Sequence, residues 1–237
     1  MKTSATLLLL VFGVLSTALG QSNTQDSLLL KFNSTAEADS VRYEAGITLA
    51  KFNMRFGPDS SRATGNKVLQ FAQNTGNKVW EAQAIKWIGI THAQQGQFIA
   101  AKDYFLKNYE LVKELGNEQD VGIILGNIGT VFYEMGNYPQ AQEYILQSLK
   151  IAEKINDEPT ISRALNNLGN VHNDQRNLKT SLEYYQKSLA IKEKMGLKES
   201  LPYVHNNIGL IHSECRLDYL AGTITICSGS YAPQRAN

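Results

Sequence analysis

The sequence predicts an all-α fold, a solenoid of antiparallel helix pairs. Three observations carry that expectation. First, an aliphatic-Gly pair recurs at a fixed offset of 40 residues, as Ile88-Gly89, Ile128-Gly129, Leu168-Gly169 and Ile208-Gly209. Second, apolar residues inside each copy fall at three- and four-residue steps, the mark of one helix face. Third, a small residue follows each of the first three glycines by twelve positions, at Ala101, Ala141 and Ser181. A glycine inside a helix costs ~1 kcal/mol relative to alanine. A close crossing of two helices offsets that cost, because a residue without Cβ lets two backbones approach.

The first twenty residues differ from the rest. Lys2 precedes an uncharged apolar run, Ala5–Leu15, and small residues follow at Ala18 and Gly20. This is the three-part pattern of a secretory signal, expected over 1–20 with cleavage after Gly20. The apolar core is shorter than the ~20 residues needed to span a bilayer. The chain is therefore expected to be exported, to a periplasmic or extracellular site, with no membrane span. Residues 21–40 are polar and rich in Ser and Asp, and read as a linker.

The repeats follow. Residues 41–77 fit one degenerate copy, with a break at Gly57-Pro58. Repeat 1 covers 81–119, repeat 2 covers 120–159 and repeat 3 covers 160–199. In repeat 2 the first helix carries Ile124, Leu125, Ile128, Val131 and Phe132 on one face. Gly136-Asn137 stops it, and Pro139 is tolerated in the first turn of the next helix. The second helix carries Ala141, Tyr144, Ile145, Ser148, Leu149 and Ala152. A fourth copy starts at 200 and holds its register through His212. Its expected extent is one first helix, 200–214, without a partner, which would leave Ile208 and Ile211 uncovered. Residues 215–237 are a non-repeat tail.

The motif of aliphatic-Gly, aromatic or His, Gly, aromatic, small residue and aromatic resembles the tetratricopeptide repeat family. "NIGTVFYEMGNYPQAQEYILQSLKIAE", residues 127–153, is the best copy. The resemblance implies a right-handed superhelical solenoid that binds a protein or peptide in its concave groove. The usual period of the family is 34 residues, so the longer period here implies a lengthened second helix and linker. An early tryptophan common in the family is replaced by Ile85, Leu125, Leu165 and His205. A secretory start followed by such repeats also resembles exported regions of bacterial sensor kinases and regulators. The alternative reading is therefore a sensory input region of a truncated signalling protein.

Composition narrows the chemistry. Of 237 residues, 43% are hydrophobic, enough for a sizeable core, and the formal net charge of +1 gives no basic excess for nucleic acid. No Gly-rich phosphate loop, HExxH, GxSxG or CxxC is present. An enzyme is not expected, nor a cofactor. Cys215 and Cys227 stand without a second ligand pair, so no zinc site is expected; whether they pair is left open. His92, His172 and His212 share a slot with Phe132 and read as packing positions rather than metal ligands.

The asparagines are the sharper signal. Asn127, Asn167 and Asn207 each stand two residues before a repeat glycine, about 200° around the helix from it. Stacked first helices would line a groove with them. An Asn side chain offers one acceptor and two donors, so it can bond the main chain of an extended peptide without reading its sequence. The expected peptide-binding set is Lys86, Asn127, Tyr133, Arg163, Asn166, Asn167, Asn170, Asn206 and Asn207. Some family members clamp a terminal carboxylate, and Lys86, Asn127 and Arg163 match three of those positions. Ile90 and Asn167 depart from the clamp pattern, so the clamp is incomplete.

Overall fold

The computed structural model describes residues 24–197 and 201–220, with side chains through residue 213. The expected signal peptide and most of the tail lie outside the described residues. Every regular element described is a helix: α1 over 24–33, α2 Asp39–Asn53, α3 Pro58–Asn74, α4 Lys78–Gln94, α5 Phe98–Glu114, α6 Glu118–Glu134, α7 Tyr138–Lys154, α8 Glu158–Asp174, α9 Leu178–Lys194 and α10 Leu201–Leu220. A short 3-10 turn, Met54–Phe56, joins α2 to α3. The chain forms two compact units, 1–115 and 116–237.

Helices α4 to α9 are each 17 residues long. The lengthening expected for the second helix is instead shared equally, because the same stop recurs every 20 residues. Left-handed backbone stands at Gly76, Gly96, Gly116, Gly136, Asn156, Arg176 and Gly196, with φ between 55° and 73°. After α3, α4 and α6 to α9 the chain closes with the bond pattern of a Schellman cap, as where Asn137 N–H reaches the Phe132 carbonyl at 2.9 Å. From α3 through α8, the following helix starts two residues after the left-handed position. Asn77, Asn117, Asn137 and Asp157 each accept a backbone N–H three residues on.

Within each pair the glycine does what its cost requires. A Cβ on Gly89 would stand 2.5 Å from the Phe105 ring, one on Gly129 2.5 Å from Ile145 Cγ1, and one on Gly169 2.5 Å from the Tyr185 ring. A second cross-link repeats nearer the open end of each hairpin. Asn108 donates to the Ala82 carbonyl at 2.5 Å, Ser148 to Gly122 at 2.6 Å, and Ser188 to Ser162 at 2.8 Å. Moving back along one helix meets residues further along the next, so the pairs run antiparallel. The shared histidine and phenylalanine slot stacks on a tyrosine of the partner helix: His92 on Tyr104, Phe132 on Tyr144 and His172 on Tyr184, with centroids 5.2–5.4 Å apart.

Three expectations need correction. Residues 24–33, read as linker, are helical. Leu28 and Phe32 lie four apart on one face, and Phe32 is 6% exposed against Tyr43, Ala45, Ile47 and Val68. A polar composition hid that two-residue apolar contact. Ile208 and Ile211, expected to lack a cover, are 2% and 0% exposed. They pack with Val204 on Leu178, Leu182, Tyr185 and Leu189 of α9. The open side of α10 is instead at Gly209, where a Cβ would meet nothing within 4 Å. Helix α10 also continues past the expected end at 214, to Leu220.

Candidate functional site

In the second unit, α8 packs against α7 and α9 and touches α6. Its outward line follows from helix geometry. Arg163, Asn167, Asn170 and Asp174 are spaced by four, three and four residues, which keeps them within about 60° of one another around the axis. Arg163 and Asp174 are exposed, and Asn167 and Asn170 are half-buried. The opposite side of α8 is closed by Ala164, Leu165, Leu168 and Val171, all buried. On α6 the equivalent line is Ile123, Asn127, Thr130 and Glu134.

The site residues read from the sequence divide into several environments. Asn127 on α6 is half-buried, and its side chain has no hydrogen bond among the described residues. Asn167 Nδ2 donates to Thr130 Oγ1 at 3.0 Å, tying α8 to α6. Thr130 donates in turn to the Gly126 carbonyl at 2.9 Å. Asn170 Oδ1 accepts the Tyr185 hydroxyl at 2.7 Å, which leaves its amide N–H groups for other partners. Asn207 on α10 is half-buried, with Nδ2 buried and unpartnered; Asn206 beside it is exposed. Asn166, expected to face the groove, is only 6% exposed, and its Oδ1 has no partner. One position around the helix accounts for this. Asn166 occupies the slot of Gly126 in the preceding copy, where a Cβ would lie 3.1 Å from Ser148 Oγ of the second helix.

Charge sits at the two ends of the line. Arg163 Nη2 donates to Thr160 Oγ1 at 3.2 Å, and no carboxylate pairs with it among the described residues. Desolvation by the surrounding protein holds its pKa below the usual guanidinium value, opposed by Asp157. Asp174 accepts the Tyr138 hydroxyl at 3.4 Å. Burial, and then the hydrogen bond and charge of Asp174, push the Tyr133 hydroxyl well above the usual tyrosine range. Tyr133 is half-buried on α6. Lys86, half-buried on α4, belongs to the first unit.

The sequence reading sets Thr130 and Asp174 on or near the same face as the asparagines but leaves both out of the binding set. Their signal was present: each lies three or four residues, about one helical turn, after an asparagine already in that set. No described helix is long and apolar enough to cross a membrane.

A sequence profile for the tetratricopeptide repeat matches residues 80–154 and, one copy later, residues 120–194. No curated protein matches the sequence. Among solved structures the chain is similar to BtubC from P. vanneervenii, with a TM-score of 0.67 at 14% identity over 92% of this chain and 96% of that one. It is similar to the apo form of RapI, with a TM-score of 0.67 at 20% identity over 80% of this chain and 69% of that one. It is also similar to a Rap protein complexed with competence and sporulation factor, with a TM-score of 0.66 at 14% identity, over 78% of this chain and 56% of that one. Identities this low speak to the fold alone.

Proposed function

Since residues 80–194 belong to the tetratricopeptide repeat family, we propose that the chain is a binding scaffold, without catalysis of its own, that takes a protein or peptide segment on the outward face of α6, α8 and α10. The observation that carries this is the line of amide side chains at Asn127, Asn167, Asn170 and Asn207 on three successive first helices. Amides at that spacing can exchange hydrogen bonds with an extended main chain while tolerating different side chains. The similarity to a Rap protein solved with a bound factor is in keeping with the reading.

A displayed peptide library panned against residues 21–237 tests it. The selected ligand should lose about tenfold in affinity on Asn127→Ala. If no ligand emerges, or if the triple Asn127→Ala, Asn167→Ala, Asn207→Ala variant binds as tightly as the parent, the reading fails.

The proposal includes export, supported by the signal pattern of residues 1–20. Cell fractionation with N-terminal sequencing checks it. A chain beginning at Gln21 outside the cytoplasm is expected, and an intact Met1 chain held in the cytoplasm would overturn it.

A further inference from the structure

We propose that Asn33 is the acceptor of an N-linked glycan, attached as the chain enters an exporting compartment that holds an oligosaccharyltransferase; the proposal rests on the export reading above. Three observations lead there. Asn33-Ser34-Thr35 has the Asn-x-Ser/Thr pattern, with x other than proline. Of the nineteen asparagines in the chain it alone is followed in this way, so one position decides the question. Second, the structure leaves the triplet within reach of an enzyme. Asn33 ends α1, and a turn over 34–38 leads into α2. Asn33 and Thr35 are exposed, with Ser34 half-buried between them. Arg42 Nε donates to the Phe32 carbonyl at 3.2 Å, and the Ser34 N–H to the Lys31 carbonyl at 3.3 Å. These bonds fix the end of α1 without engaging the Asn33 carboxamide. A turn can open into the extended form that an active site takes without breaking a helix.

The third observation is apolar surface beside the acceptor. Leu28 and Phe32 hold the packed side of α1, whereas Leu29 and Leu30 are 41% and 72% exposed. Asn33 follows them by four and three residues, so the three are neighbours on the helix surface. Leu30, Lys31, Asn33, Ser34 and Glu37 line an open hollow of about 420 Å³. The first sugar on Asn33 would lie at this hollow, with the C–H face of its ring against Leu30 and its hydroxyls in water. The core does not account for the two leucines, and such a cover does. The chemistry is a group transfer from a lipid-linked oligosaccharide. The Asn33 amide nitrogen attacks the anomeric carbon of the first sugar. The C–N bond forms as the bond from that carbon to the lipid pyrophosphate breaks. The pyrophosphate leaves with the bonding electrons, and the carboxamide gives one proton to a base of the transferase. The Thr35 hydroxyl, two residues on, is the group by which the transferase holds the acceptor.

The test translates the full chain, 1–237, in the presence of microsomes that carry an oligosaccharyltransferase. Protection from added protease reports entry into the lumen, and gel mobility with peptide mass spectrometry reports the glycan. The protected chain should run slower than the untreated one, and a peptide N-glycosidase should restore its mobility while converting the Asn33 side chain to a carboxylate. Asn33→Gln and Thr35→Ala should each abolish the shift, and Thr35→Ser should keep it. Because the readout needs entry and not folding, a variant that folds poorly still answers. A second form, residues 21–237 behind an established secretory leader, separates the two readings. Glycan on that form alone supports Asn33 as acceptor while the export reading fails. Protease-protected chain without glycan in both forms overturns the proposal and leaves export intact. A shift that survives Asn33→Gln overturns it as well, because another residue would then carry the sugar.

Discussion

Asn167 of α8 donates through Nδ2 to the hydroxyl of Thr130 on α6, 3.0 Å away. The bond joins the first helices of two successive repeats from within the face proposed to bind ligand. One recurrent asparagine thus has a structural duty. Asn127, its counterpart a copy earlier, has no such bond among the described residues.

The two positions should therefore separate stability from binding. Thr130→Val leaves the Asn167 amide short of an acceptor and should cost about 1 kcal/mol of unfolding free energy. Asn127→Ala removes no internal bond and replaces a mediocre helix former, so it should gain about 0.5 kcal/mol while weakening ligand binding. Urea denaturation alongside a titration of the selected ligand checks both. Equal destabilisation by the two variants would contradict the assignment.

The repeat glycines are not equivalent. A Cβ at Gly129 meets Ile145 Cγ1 at 2.5 Å and the Ala141 carbonyl at 3.1 Å, and the latter is backbone that cannot swing aside. Gly129→Ala should cost about 2 kcal/mol by overpacking. Gly209→Ala meets nothing within 4 Å and should stabilise α10 by up to about 1 kcal/mol. Thermal denaturation of the two variants should move the midpoint in opposite directions.

Arg176 holds φ at 62° in the position that glycine fills after α3, α4, α5, α6 and α9. A side chain with Cβ pays for that left-handed conformation, so Arg176→Gly should gain about 0.5–1 kcal/mol. Asn156, at φ 55°, tolerates the region better, and Asn156→Gly should gain less. Denaturant midpoints for the pair measure the order.

His172 stacks on Tyr184, and burial holds its pKa below the ordinary imidazole value. The folded chain therefore resists a proton that the unfolded chain accepts near pH 6.5. Stability should fall as pH drops through that value and level off below the folded-state pKa. His172→Phe, which copies the Phe132 on Tyr144 stack, should reduce the loss of thermal midpoint between pH 7.5 and 5. An unchanged pH dependence would show that His172 does not contribute to it.

The repeat itself was legible because it is built from local rules. The glycine register, the apolar steps and the Gly-Asn stops each act over a few residues, and their recurrence makes them readable without contacts. The 20-residue cadence under the 40-residue period was harder to read. Asn156 and Arg176 interrupt the run of glycines, and only their positive φ shows that they do the same job. Helix α1 was missed because its evidence is the burial of Phe32 in a core built by later residues.

The sequence by itself determined the helix pairs, where they turn, and which residue types recur on their outer line, since all of these follow from periodicity and backbone preference. The tertiary structure decided what each recurrent asparagine faces. Asn166 turns inward, Asn167 bonds Thr130, Asn170 accepts from Tyr185 and Asn127 keeps its amide unbonded among the described residues. Four asparagines of one type differ because a hydrogen-bond partner comes from another helix, and that helix is brought near only by packing.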